Sequence, residues 1–183
     1  MFKGNIVSRW AFNLKKMFTF VEEWMNVAKT LAVLVIIAVL ASSQALAGEA
    51  CVKEDVRKSV EYAADILAAK GSAAFAELEK FRFCDQKGYV WVADMSGVVL
   101  MHHIHKLVGV DQMYIQDPDG KYFNAEMVAK VKKSGAGWVS YRRLNPVSKI
   151  IEPKCSYVKA TTMDGKKVWV GAGVYGISEA TCR

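Results

Sequence analysis

The chain has 183 residues, 52% of them hydrophobic, and a formal charge of +7. That composition is too apolar for a disordered polypeptide and provides for one core, without room for a second sizeable domain once a leader is set aside. The lysines and arginines are spread through the chain with acidic residues between them, so a nucleic-acid footprint, which needs a clustered basic face, is not indicated.

In chain order, the first segment is a targeting signal. Lys29 precedes an apolar run from Leu31 to Ala41, and Ala45-Leu46-Ala47 precedes Gly48. A basic flank, a short apolar core and a small-x-small site are the layout of a secretory signal peptide. Residues 1–47 are therefore expected to be a signal peptide with a long n-region, with Met25 as an alternative start and Gly48 opening the exported, periplasmic or extracytoplasmic protein. The apolar run is shorter than the ~20 residues of a comfortable bilayer span. The alternative is an uncleaved inner-membrane anchor through residues 27–47.

Residues 48–183 then form the single domain. Val52, Val56, Val60, Ala63, Ala64 and Leu67 recur at helical spacing, which predicts an amphipathic helix over Val52–Ala69 closed by Gly71. Ser72 is expected to cap a shorter helix through Leu78. Tyr89–Ala93 and Val98–His102 flank Ser96-Gly97 and predict a hairpin. Asp117-Pro118-Asp119-Gly120 reads as a turn, and Tyr122, Phe123, Met127, Val128 and Val131 predict a helix ending near Lys132, Lys133 and Gly135. Three strands follow, over Trp138–Arg142, Cys155–Thr161 and Val168–Tyr175, the last two joined by Asp164-Gly165. The segregation predicts an α+β domain: an antiparallel sheet of about five strands with helices mainly on one face.

Cys51, Cys84, Cys155 and Cys182 all follow the expected cleavage point. An even count in an exported chain predicts disulfides, with three connectivities open for four cysteines. If the domain termini meet, Cys51 pairs with Cys182 and Cys84 with Cys155. No haem-attachment or zinc spacing occurs, no cofactor motif is present, and His102 and His103 would point to opposite faces of a strand. Ser140, Ser148 and Ser156 lack an elbow motif, and Asp94 and Asp111 have no acid–base partner, so no enzyme is indicated.

One series of residues spans roughly the last two thirds of the chain. It runs from Asp117-Pro118-Asp119-Gly120-Lys121-Tyr122-Phe123 and Gly137-Trp138-Val139-Ser140-Tyr141 through Asn145-Pro146, Ile151-Glu152-Pro153-Lys154 and Tyr157-Val158 to Val170-Gly171-Ala172-Gly173-Val174-Tyr175. In order and spacing it resembles the single Cache domain, an extracytoplasmic small-molecule sensor. The resemblance implies a PAS-like sheet with the long N-terminal helix on one side and a ligand pocket on the other. It also implies a small organic ligand, with the short-chain carboxylates acetate, propionate, lactate and pyruvate as the first class to test. His102 falls where related domains place a histidine, His103 replaces a following proline, and Arg143 stands where an aromatic residue is commoner.

A desolvated carboxylate needs donors. His102, Tyr141, Arg143, Lys154 and Tyr157 are the candidates, with Met101, Tyr114 and Trp138 as apolar walls. For Lys154, beside Pro153, the competing expectation is a solvated side chain. The glycines at 171 and 173 leave room either for a ligand or aromatic lid, or for a packed helix. The expected role is signal sensing or ligand presentation to a membrane receptor or transporter. The alternatives are a homodimerising interaction module without a ligand, and an unrecognised enzyme or metal-binding protein.

Overall fold

The computed structural model describes residues 51–183, so the expected leader and anchor in residues 1–47 lie outside the described residues. Among the described residues no helix is long and apolar enough to cross a membrane.

Helix α1, Lys53–Lys70, starts where the Asp55 carboxylate accepts the Val52 N–H at 3.0 Å. It buries Val56, Ser59, Val60, Ala63, Ala64 and Leu67 along one stripe. Gly71, with φ of 59°, ends it and leads through a 3₁₀ turn into α2, Phe75–Lys80. Ser72 does not cap α2 with its side chain as expected. Instead its backbone N–H donates to Asp164 at 3.1 Å, fastening a distant hairpin to the end of α1.

The strands are β1 Val90–Asp94, β2 Val99–Met101, β3 Ala136–Leu144, β4 Ile151–Met163 and β5 Lys166–Tyr175, with α3, Phe123–Ser134, between β2 and β3. They form one antiparallel sheet in the order β2-β1-β5-β4-β3. The expected hairpins and meander are present; β3, β4 and β5 run longer than the sequence suggested, and β2 is shorter. At the β4–β5 turn Asp164 and Gly165 both have positive φ (50° and 74°), the primed geometry that suits the twist of a two-residue hairpin.

Alternation along the strands divides the sheet into two faces. Val90, Val92, Met101, Val168, Val170 and Ala172 meet the stripe of α1 and the buried Leu78 of α2. Trp91, Ala93, Val139, Tyr141, Val158 and Trp169 face the other way, toward Phe123, Met127, Val128 and Val131 of α3. The helices thus occupy both faces, correcting the expectation that they lie mainly on one.

Both disulfides join neighbours in sequence: Cys51 to Cys84, with Cα atoms 5.1 Å apart, and Cys155 to Cys182, 5.6 Å apart. The expected pairing of Cys51 with Cys182 and Cys84 with Cys155 is therefore corrected. Its premise holds, because Lys53 Nζ donates to the carbonyls of Thr181 and Arg183 at the other end of the domain, at 2.8 Å each. The chain leaving α2, however, returns Cys84 to the start of α1, and the C-terminal segment folds back beside β4.

Candidate ligand-binding site

The face of the sheet opposite α1 is only partly covered by α3, and the remainder is a cavity of about 700 Å³. Its base is Trp91 and Trp169, packed edge to face with centroids 6.3 Å apart. The Trp169 Nε1–H donates to the Asp94 carbonyl at 2.8 Å, satisfying the only polar atom of a buried indole. On one side Tyr141 of β3 stacks on Phe123 of α3, centroids 4.4 Å apart and planes within 4°, while its hydroxyl lies 3.0 Å from Ser156 Oγ. Tyr89 and Tyr175 close the opposite side.

Lys154 of β4 reaches into this aromatic surround. It is 3% exposed, with Nζ 4.6 Å from the ring centroid of Tyr175, 5.2 Å from that of Tyr89 and 5.6 Å from that of Trp91. Its one hydrogen bond among the described residues is a long one, donated to the Tyr89 hydroxyl at 3.4 Å. Desolvation works to lower its pKa. The negative potential of the Tyr141, Tyr89 and Tyr175 oxygens outweighs that, and the group is held above the ordinary lysine value. The side chain is therefore an ammonium at neutral pH, and no ion pair with a carboxylate is formed among the described residues.

Gly173 makes that placement feasible. It is paired with Ser156 across β4 and β5, and a Cβ there would lie 2.8 Å from Lys154 Cε and collide with Ser156 Oγ. At Gly171 a Cβ would run into the Trp91 ring. Of the two expected uses, neither glycine serves a helix: both make space for side chains of the cavity.

His102 follows the end of β2 and is buried at the cavity wall. Its Nδ1 accepts the Ile104 N–H at 2.9 Å, which leaves Nε2 as the protonated nitrogen of a neutral ring. Burial, reinforced by His103, Lys154, Arg143 and Arg82, lowers its pKa to about 3. At neutral pH His102 is a neutral donor.

The loop bordering the cavity is fixed by Asp117. Its Oδ1 accepts the N–H groups of Asp119 and Lys121 at 3.0 and 2.9 Å, and Oδ2 accepts that of Arg142 on β3 at 3.0 Å. Desolvation opposes its ionisation, but these three backbone donors prevail and hold its pKa below the usual aspartate value. The Asp-Pro-Asp-Gly segment is thus a turn, as expected, and also a staple between the loop and the sheet.

Of the eight candidate residues, the structure brings His102, Tyr141, Arg143 and Lys154 to this cavity. Lys154 is buried, contrary to the expectation of a solvated side chain. Met101, Trp138 and Tyr157 do not line it. Strand alternation turns them to the α1 side, where Trp138 and Tyr157 contact each other at 5.0 Å and Lys53 Nζ lies 4.7 Å over Trp138. Tyr114 is 78% exposed and stands outside the cavity. Sequence reasoning overlooked Tyr89, Trp91, Phe123, Trp169 and Tyr175.

A family model described as single Cache domain 2 matches residues 22–181, most of the chain. The chain belongs to this family. A Cache chemosensory domain, whose structure is described as the basis for carboxylic acid recognition, is 33% identical with a TM-score of 0.58, over 68% of this chain and 92% of that one. A periplasmic sensor domain of a chemotaxis protein is 31% identical with a TM-score of 0.52, over 66% and 88% of the two chains. The methyl-accepting chemotaxis protein McpP of Pseudomonas putida is 36% identical over 93 residues. That match covers 50% of this chain but only 16% of McpP. The PAS-like Cache fold expected from the sequence is the fold observed, and the domain is homologous to chemoreceptor sensor domains.

Proposed function

We propose that this single Cache domain works outside the cytoplasm as a sensor or presenter of a small organic acid, bound non-covalently through its carboxylate in the cavity opposite α1. The observation that carries the reading is Lys154: a buried ammonium, facing a cavity and paired with no carboxylate among the described residues. An uncompensated buried charge is costly, and a bound anion offsets that cost. The His102 Nε2–H and the Tyr141 hydroxyl add neutral donors, and Trp91, Trp169 and Phe123 offer apolar surface to a short tail. The carboxylic acid recognition described for one relative gives the ligand class to test first. The two disulfides and the periplasmic placement of another relative support an oxidising, extracytoplasmic location. Residues 1–47 then act as the export leader, and the ligand-bound domain reports to a membrane receptor or transporter.

The test is thermal melting of the protein with acetate, propionate, lactate or pyruvate. Ligand at about 100 times its Kd adds roughly 2.7 kcal/mol to the stability of the folded state. Lys154→Met removes the ammonium with little change in volume and should weaken binding by roughly 10- to 100-fold, the range of a charge-assisted hydrogen bond. Stabilisation of wild type and variant to the same extent would show that the anion is held elsewhere.

A further inference from the structure

The cavity carries more positive charge than one carboxylate can answer. Arg142, Arg143, Lys149 and Lys154 line it, against Asp117 as the only carboxylate among its lining residues. Both Asp117 oxygens are occupied by backbone N–H groups, and it forms no ion pair with these cations among the described residues. Arg142 is answered by Asp119 at 3.4 Å, and Lys149 is exposed at the mouth. Two cations are left to the cavity itself. Lys154 is buried among Tyr89, Trp91 and Tyr175. Arg143 is half-buried, its guanidinium carbon 5.4 Å from the centroid of the Phe123 ring, and it forms no ion pair among the described residues.

The register shows how the two are placed. Tyr141 is the direct partner of Lys154 across β3 and β4, and Arg143 stands two residues further along β3 on the same face. Lys154 extends toward Tyr89 and Tyr175, beside β1 and on β5, whereas the Arg143 guanidinium lies over Phe123 of α3, so the two charges address different walls of the cavity. A three-carbon monocarboxylate can neutralise one of them. The volume of about 700 Å³ falls within the roughly 300–1,000 Å³ of sites that enclose much larger ligands, and so leaves room for a second polar end.

Resting on the carboxylate reading of this site, we infer that the preferred ligand is a dianion, a dicarboxylate with one group on Lys154 and the other on Arg143. Arg143 is the specificity-determining residue. It selects for a second negative charge by presenting a planar fork of donors that fits a carboxylate in two places at once.

The experiment compares succinate with butyrate, acids of equal carbon count, by calorimetry on the intact protein at pH 7 and fixed ionic strength. Succinate is expected to bind at least ten-fold more tightly. Arg143→Gln should reduce succinate to near the butyrate level and weaken butyrate much less than succinate, whereas Lys154→Met should weaken both. Circular dichroism on each variant separates loss of binding from loss of fold, and Arg143→Lys, which keeps the charge without the fork, should retain part of the preference. Equal wild-type affinities, or an Arg143→Gln effect of the same size on both acids, would overturn the dianion inference and leave the carboxylate reading in place. Binding of neither acid, nor of acetate, propionate, lactate or pyruvate, would overturn both.

Discussion

The two faces of the sheet are built from the same strands by alternating residues, yet they obey different rules. The buried centre of the α1 face is Val, Ala, Leu and Met packed against a long helix, with Val56, Val60, Ala63, Leu67 and Val170 wholly shielded from water. On the α3 face, a shorter helix leaves a cavity, around which stand two indoles, three tyrosines, a neutral histidine and a buried ammonium. A face that only has to hold the fold can be uniform.

That contrast can be broken most severely from the helix side. Leu67→Ala should cost about 2–5 kcal/mol of unfolding free energy in a denaturant titration, because the tightly packed face cannot collapse around the void. Ligand affinity of the molecules that remain folded should not change. A matching loss of affinity would mean that the faces are coupled. The converse substitution, Lys154→Met, should weaken binding while leaving stability equal to or above wild type, since a buried charge is replaced by an apolar side chain of similar length. If it destabilised the protein as Leu67→Ala does, the ammonium would be a structural element.

The next effect is a pH dependence confined to the cavity face. His102 has a folded-state pKa of about 3 against an ordinary 6.5, so the unfolded chain binds the extra proton between those values. Stability is then complete above about pH 6.5 and declines as the pH falls, at no more than about 1.4 kcal/mol per pH unit. His103, also lowered by burial, acts in the same direction. The depressed carboxylates Asp94 and Asp117 have an ordinary value of 3.8, and Glu54, Glu77 and Glu152 one of 4.5, so the interval from about pH 6.5 to 5.5 is governed mainly by the histidines. Melting curves of His102→Gln across that interval should be flatter than wild type, and an unchanged slope would remove His102 from the account. Gly173→Ala is expected to lower melting temperature as well as affinity, because its Cβ would collide with the buried Ser156 Oγ and lie 2.8 Å from Lys154 Cε; unchanged affinity would show that the Lys154 stem can move aside.

The fold was legible because local chemistry and global pattern agree along most of the chain. The α1 stripe, the Asp164-Gly165 turn and the alternating strands each admit one reading. The site was half legible. Residues with unusual chemistry for a strand, Lys154 and Arg143, stand out in the sequence, but which face each strand residue takes depends on the register. The Asp164-Gly165 turn places Met163 opposite Lys166 and therefore Tyr175 opposite Lys154, so Tyr175 was within reach of sequence reasoning and Tyr157 was already on the wrong parity. Phe123 was not within reach, because its contact with Tyr141 depends on where α3 docks. The cysteine pairing failed for a similar reason. Proximity of the termini is a statement about the backbone, whereas a disulfide needs the side chains of one particular pair to meet.

That pairing has a consequence for how the molecule matures. Each cysteine bonds to its neighbour in the order of synthesis, Cys51 with Cys84 and then Cys155 with Cys182. In a polypeptide entering an oxidising compartment N-terminus first, the first two thiols meet before the third emerges, and the last two find no competitor left unbonded. For a chain exported in that way, order of arrival favours the native bridges, and the pairing makes little demand on a shuffling isomerase.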